Sequence, residues 1–389
     1  MQRREFFLGA AAGVLGIACG SAKDSASTPG SQRAPDPTPA DKPTADAAVA
    51  ATKPGPKKIL ILGGTSFLGP QIVDAARARG HTLTLFNRGK THADLFPDVE
   101  KLRGDRDGKL DALKGRTWDA VVDTSGFVPR IVKMSAELLA PSVAQYIFIS
   151  SVSVYAEDGK VNADETSKLQ VADDPKSEEV RKYYGALKAR SEEAAEAAMP
   201  GRVLNIRPGL IVGRGDPTGR FTHWPARMSD GNDVLCPGDG TTPTQIIDVR
   251  DLAEWIVKTV EDRTFGAMNA LGPAQRMTMK DMLEGCHRAA GGKGKLVWVD
   301  ADFLAKQGVQ GWSEMPAWFD NRGEMAGFGT TSNARAVAAG LTFRPVQETA
   351  ADTLAWLATL PADERAKVRS SGIKPDKEAA VLAAWRAKK

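Results

Sequence analysis

Tyr184 and Lys188 stand four residues apart on a strongly helical stretch, KYYGALKAR. Positions i and i+4 of a helix share one face, so the phenol and the ammonium lie side by side. A nearby ammonium lowers a phenol's pKa toward neutrality, and such a tyrosine exchanges a proton with a substrate hydroxyl. A serine hydroxyl opposite can hold the same oxygen, and Ser151 ends an apolar run, QYIFISS, that reads as a strand. Tyr184, Lys188 and Ser151 are therefore the candidate catalytic group. A tyrosine by itself would be surface decoration; a cofactor fold around it changes the reading.

The elements that must position them begin upstream. KKILILGGTSFLGPQIVDAARARGHTLTLFNRG runs strand, glycine turn, helix, strand. Ile59 to Leu62 is short and wholly apolar, as in a parallel sheet covered on both faces. Gly63 and Gly64 turn the chain, and Gly69 lets the helix sit close to the strand. The N–H groups at the helix start, over Thr65, Ser66, Phe67, Leu68 and Gly69, can hold a pyrophosphate. The second strand ends in Asn87-Arg88 with no acid. An acid there binds a ribose 2′-hydroxyl, whereas an arginine accommodates a 2′-phosphate, so among NAD(P) cofactors NADP is favoured. Asp105, with Arg106 beside it, follows a third strand, where a carboxylate can hydrogen-bond an adenine. A fourth strand, WDAVVDTSGF, ends in Thr124, Ser125 and Gly126, small enough for close approach to a cofactor. The expected fold class is α/β: a Rossmann-type doubly wound parallel sheet with a smaller C-terminal substrate-binding part.

The 389 residues carry a net charge of +4 with no concentrated basic face, so no nucleic-acid partner is expected. Cys19, Cys236 and Cys286 show no paired spacing, and the four histidines are scattered, so neither a disulfide framework nor a metal site is expected. QRREFFLGAAAGVLGIACG places Arg3 and Arg4 before an apolar run too short to span a bilayer comfortably. This resembles a twin-arginine export signal over residues 1–19, which would make the export machinery a partner. Cys19 after LGIA resembles a lipid-attachment site, although Gly16 stands where such sites prefer leucine. The expected location is the periplasm or the outer side of the inner membrane. Residues 20–56, rich in Ala, Pro, Ser, Thr and Asp, read as a disordered tether.

Together, GGTSFLG, GDRDG, SSVSVY, YGALK, IRPGLIVG and IDVRDLAEWI resemble the extended, or atypical, short-chain dehydrogenases/reductases of the NAD-dependent epimerase/dehydratase family. The resemblance runs from Lys57 to about Pro273. It implies that Ser151, four residues before Tyr155, is the catalytic hydroxyl, that Lys188 also binds the nicotinamide ribose, and that the loop after Arg207-Pro208, beginning with Pro208, flanks the nicotinamide. LFNRG, DTSGFVPR and SVSVYA are shared with a group of bacterial reductase- or epimerase-like proteins. Three positions depart from the family pattern. Ser66 replaces the usual middle glycine. Val152-Ser153 replace the Asp-Glu pair of dehydratases, which disfavours dehydration. Leu210 replaces an asparagine that contacts nucleotide-sugars.

The expected organisation is a core over residues 57–207 with 242–272 returning to it. Residues 208–241 and 273–389 form a substrate-binding cap. Arg214, Asp216, Arg220 and Trp224 are candidates for substrate contact, since charge and aromatic groups over a cofactor suit a polar ring. Asp248 or Asp251 is expected to cap a helix. The expected function is an NAD(P)-dependent reductase or epimerase acting on a hydroxyl or ketone of a sugar-like small molecule. The alternative is a non-catalytic dinucleotide-binding or RNA-binding relative of the same fold.

Overall fold

The computed structural model describes residues 55–156 and 160–388; the stretch read as an export signal, Cys19 and the stretch read as a tether, through residue 54, lie outside the described residues. The first half alternates strand and helix: β1 (Lys58–Leu62), α1 (Leu68–Ala78), β2 (Thr82–Asn87), β3 (Glu100–Arg103), β4 (Trp118–Asp123), α2 (Pro129–Leu139), β5 (Val143–Ile149), α3 (Val180–Ala198) and β6 (Val203–Pro208). There follow β7 (Leu210–Val212), α4 (His223–Met228), β8 (Val234–Pro237), β9 (Pro243–Asp248), α5 (Val249–Glu261), β10 (Gly266–Ala270), β11 (Gly272–Thr278), α6 (Met279–Ala289) and β12 (Leu296–Val299). Short and long helices finish the chain: α7 (Ala301–Lys306), α8 (Ala334–Ala338), α9 (Val346–Thr359), α10 (Ala362–Arg369) and α11 (Pro375–Lys388).

Among the described residues the main sheet has seven strands, in the order β10-β6-β5-β4-β1-β2-β3. Every neighbouring pair in it is parallel. The fold is the expected Rossmann-type α/β architecture. Its order reverses between β1 and β4, and ligands of such sheets lie beyond the strand ends at that reversal. Ile59, Leu60, Ile61 and Leu62 are wholly buried, because the sheet is covered on both faces. Each such side chain stabilises the fold by roughly 1.5–3 kcal/mol. Helices α1 and α5 cover one face and α2 and α3 the other. The close approach at the start of α1 depends on Gly69, where an added Cβ would lie 2.6 Å from the Gly64 backbone.

The second half builds a separate apolar cluster around Phe221, Trp224, Met279, Met282 and Leu283. It carries a three-stranded sheet, β11-β9-β7, and a two-stranded one, β12-β8. Asp248 caps α5, its carboxylate accepting from Arg250 N at 2.8 Å, as expected. Gly266–Ala270 is the return strand to the main sheet, pairing in parallel with β6.

Candidate active site

The C-terminal ends of the central strands bring most of the chemically active residues together. At β1 the glycine turn leads into α1, and Thr124 and Ser125 close over it, both hydroxyls donating to the Leu62 carbonyl at 2.9 and 3.3 Å. The backbone N–H groups of Thr65, Ser66 and Phe67 donate to no acceptor among the described residues. A cradle of unspent donors at a helix start fits a pyrophosphate. Asn87 ends β2, its amide donating to the Gly63 carbonyl at 3.0 Å, and Arg88 beside it is exposed. The Asn87 side-chain oxygen accepts from Gly89 N at 3.0 Å and from the guanidinium of Arg103, its partner at the end of β3. Arg103 is thus a second cation at the rim where an adenosine ribose would rest. The sequence reading missed it; the register of β2 against β3 is the signal that finds it.

Asp105 and Arg106 part ways. Asp105 Oδ1 accepts from Asp107 N at 3.1 Å within a tight turn. Arg106 is turned inward, its guanidinium clamping both oxygens of buried Asp123 at 2.5 and 2.6 Å. Tyr146 adds its hydroxyl to the same carboxylate at 2.8 Å. The expectation of Arg106 as a cofactor contact therefore differs from its place in the structure, because Asp123 holds it below the strand ends.

Ser151 lies at the end of β5, nearly buried, and its hydroxyl accepts from Ser153 N at 3.1 Å at the start of a tight turn. The same hydroxyl is close enough to that of Tyr184 to draw the phenol's pKa down. Helix α3 is interrupted at Tyr183 (φ −118°, ψ 28°), so the regular helix runs on from Tyr184 and keeps Tyr184 and Lys188 at i and i+4. Contact with the Ser151 turn depends on Gly185, where a Cβ would lie 2.0 Å from the Ser153 carbonyl oxygen.

Lys188 is buried, donating to the carbonyls of Gly126 at 2.7 Å and Ile149 at 2.6 Å. Its ammonium sits 4.4 Å from the Phe148 ring centre and 5.0 Å from that of Phe127. The Phe127 ring in turn lies 6.4 Å from that of Tyr184, so this half-exposed phenylalanine lines the mouth of the site, unforeseen from the sequence. Burial pushes the lysine's pKa down to about 7, with Arg106 adding to the push and Asp123 and Glu192 opposing it. Burial also pushes the Tyr184 hydroxyl above the ordinary phenol range, while Ser151 and the charge of Arg220 pull it back. The cation acting on the phenol is Arg220, where the i, i+4 spacing pointed to Lys188. The other tyrosine of the motif, Tyr155, is buried and donates to Asn269 Oδ1 at 2.6 Å, which removes it from the chemistry.

The four substrate candidates separate. Trp224 is fully buried, its indole N–H donating to the Pro316 carbonyl at 2.8 Å, so it belongs to the second core and not to the site. Arg214 pairs with Asp352 of α9 at 3.2 Å. Asp216 is buried, its Oδ1 accepting from Thr218 N and Oγ1 at 2.8 and 2.6 Å. Arg220 alone of the four bears on Tyr184. Pro208, at the end of β6, is buried.

A doubly wound parallel sheet with a glycine turn at β1 and Ser, Tyr and Lys converging beyond β5 defines a protein of the short-chain dehydrogenase/reductase type. The chain belongs to the NAD dependent epimerase/dehydratase family, whose model matches residues 59–270, more than half of it. It is 28% identical to a chloroplast stem-loop binding protein of 41 kDa from Arabidopsis thaliana, over 60% of this chain and 64% of that one. It thus spans somewhat less than two thirds of that relative's length. It is 24% identical to 2′-dehydrokanamycin reductase of Streptomyces kanamyceticus, over 64% of this chain and 71% of the reductase. Among solved structures, the Bordetella bronchiseptica enzyme WbmH in complex with NAD+ superposes with a TM-score of 0.57 at 16% identity, covering 78% of this chain and 99% of WbmH. UDP-glucuronic acid 4-epimerase from Bacillus cereus gives 0.53 at 15% identity, covering 77% of this chain and 98% of the epimerase. At such identities these likenesses speak for the fold.

Proposed function

We propose that the protein is an NAD(P)-dependent oxidoreductase or epimerase acting on a hydroxyl or ketone of a sugar-like substrate. The observation that carries this reading is the Ser151 hydroxyl acting on that of Tyr184 beyond the end of β5, with buried Lys188 one helical turn on. Tyr184 gives its proton to a substrate carbonyl oxygen in reduction and takes one from a hydroxyl in oxidation. Ser151 holds that oxygen in line. Lys188, anchored by two carbonyls, orients the ribose. The dinucleotide, when bound, supplies or accepts the hydride. Residues 63–69 would hold its pyrophosphate, Thr124 and Ser125 allow its close approach, and Pro208 flanks the nicotinamide.

NADP is the favoured form, because Arg88 and Arg103 flank Asn87 where no acid stands. Reduction by the Streptomyces relative and NAD+ bound in WbmH support a nicotinamide cofactor. Dehydration is disfavoured by Val152 and Ser153, which replace the acidic pair it needs. Arg3 and Arg4 support export by the twin-arginine route, to the periplasm or to a lipid anchor at Cys19.

The test is Tyr184→Phe, which keeps the ring and removes the exchangeable proton. Dinucleotide affinity should survive, while turnover on a panel of hydroxy- and keto-sugars falls by about 10²-fold or more. Lys188→Met should impair both. Unimpaired turnover in Tyr184→Phe would leave a dinucleotide-binding protein whose tyrosine does no chemistry.

A further inference from the structure

Three inward-turned arginines spend their guanidinium forks on carboxylates: Arg106 on Asp123 at 2.5 Å, Arg207 on Glu192 at 2.6 Å and Arg227 on Glu378 at 2.7 Å. Arg220 does not. Among the described residues no carboxylate lies within ion-pair distance of it, and its one side-chain hydrogen bond runs from Nε to Thr218 Oγ1 at 3.1 Å. Its two terminal nitrogens, four N–H donors in a planar fork, are left over. Arg220 is half-buried and buried Asp216 acts on it from beyond ion-pair distance, so its fork stays open to a planar oxyanion that could fill it.

The surroundings hold this cation and leave its fork open, although the charge of Asp216 acts on it. Its guanidinium lies 5.2 Å from the ring centre of Trp312, which stacks in parallel on Phe319 at 5.2 Å with Phe328 against its edge. Thr218 links Arg220 to buried Asp216, whose Oδ1 is already saturated by Thr218. Ser371 ties the same loop down by donating to the Thr218 carbonyl at 2.9 Å. The open fork is therefore held rigidly within electrostatic reach of the Tyr184 hydroxyl.

We propose that Arg220 is the receptor for an oxyanion on the substrate, so that the compound handled at Tyr184 is a polyhydroxy acid or phosphate ester with its charge close to the reacting carbon. This rests on the reading of Tyr184 as the proton-transfer group. A carboxylate or phosphate oxygen pair matches the planar fork with two parallel N–H···O bonds, which a lysine's point charge cannot imitate. A neutral sugar would leave the fork unpaired, and sites built around such a polar group reject ligands that lack its partner strongly.

The test is calorimetry on the full chain with dinucleotide present, using D-glucose, D-glucuronate and D-glucose 6-phosphate as probes. Wild type should bind at least one anion about 10²-fold more tightly than glucose. The stronger of the two anions tells carboxylate from phosphate. Arg220→Met should abolish the preference and Arg220→Lys keep part of it, with dinucleotide affinity unchanged in both as evidence of folding. Tyr184→Phe should keep the preference in full, so loss of the catalytic reading would not take the anion site with it. Equal binding of all three probes, or an anion preference that survives Arg220→Met, overturns the proposal.

Discussion

Gly185→Ala sets two physical effects of opposite sign against each other. Alanine is the better helix former, and in an open helix interior the exchange would stabilise by about 1 kcal/mol. In this structure the new Cβ would lie 2.0 Å from the Ser153 carbonyl oxygen and 2.7 Å from Gln170 Oε1, whereas real Cβ contacts stay above 3.0 Å. The glutamine can swing aside; a backbone carbonyl in a tight turn cannot. Helix α3 and the Ser151 turn must part by about 1 Å, and overpacking of this kind costs about 1–3 kcal/mol. The net change is a loss of stability despite the better propensity. Urea unfolding should show a lower midpoint with unchanged slope, since the exposed surface is the same. The parting also separates Tyr184 from Ser151, and a misplacement of about 1 Å costs about 10²-fold in turnover. A Gly185→Ala protein as stable as wild type or more so would refute the close-approach reasoning.

Arg88→Ala and Arg103→Ala should each weaken NADP binding several-fold while leaving NAD nearly unchanged, since only the 2′-phosphate loses a charge-assisted contact; equal losses for both dinucleotides by calorimetry would count against the NADP reading. Replacing Arg3 and Arg4 with lysine should strand the precursor in the cytoplasm, and fractionation outside the inner membrane would exclude the twin-arginine route. His223 is buried with its Nδ1 donating to the Ser371 carbonyl at 2.9 Å, and burial lowers its pKa to about 4 from an ordinary 6.5. Between those values the unfolded chain holds the extra proton, so stability is full above pH 6.5 and is lost as pH falls toward 4. At about 1.4 kcal/mol per unit that is on the order of 3 kcal/mol, and His223→Phe should flatten the acid limb of a stability–pH curve.

The sequence carried the nucleotide-binding half because its signals there are local. An apolar strand, a glycine turn and a helix follow one another within residues 58–78, and Gly69 has the role its spacing implied. The placement of Tyr184 and Lys188 four residues apart on one helix was legible for the same reason. What escaped depends on contacts between distant segments. Arg106 finds Asp123 only once β4 is in place, and Arg103 meets Asn87 only through strand register. Trp224 reads as a loop aromatic, yet the second cluster closes around it. The charge that acts on Tyr184 comes from Arg220, delivered by a loop beyond β7, and no spacing within α3 could have announced it.

The two margins of the main sheet are protected in different ways. At one margin β3 is four residues long and reads Glu-Lys-Leu-Arg, half of it exposed and charged, a poor template for another chain. At the other, β6 is buried along its whole length, and only β10 covers it, from residues some sixty positions later. A chain ending before Gly266 would present β6 as a long, apolar, unpaired row of N–H and C=O groups, which invites strand addition from a second molecule. Nascent or proteolysed chains lacking β10 are thus the aggregation-prone species, although they already contain Ser151, Tyr184 and Lys188.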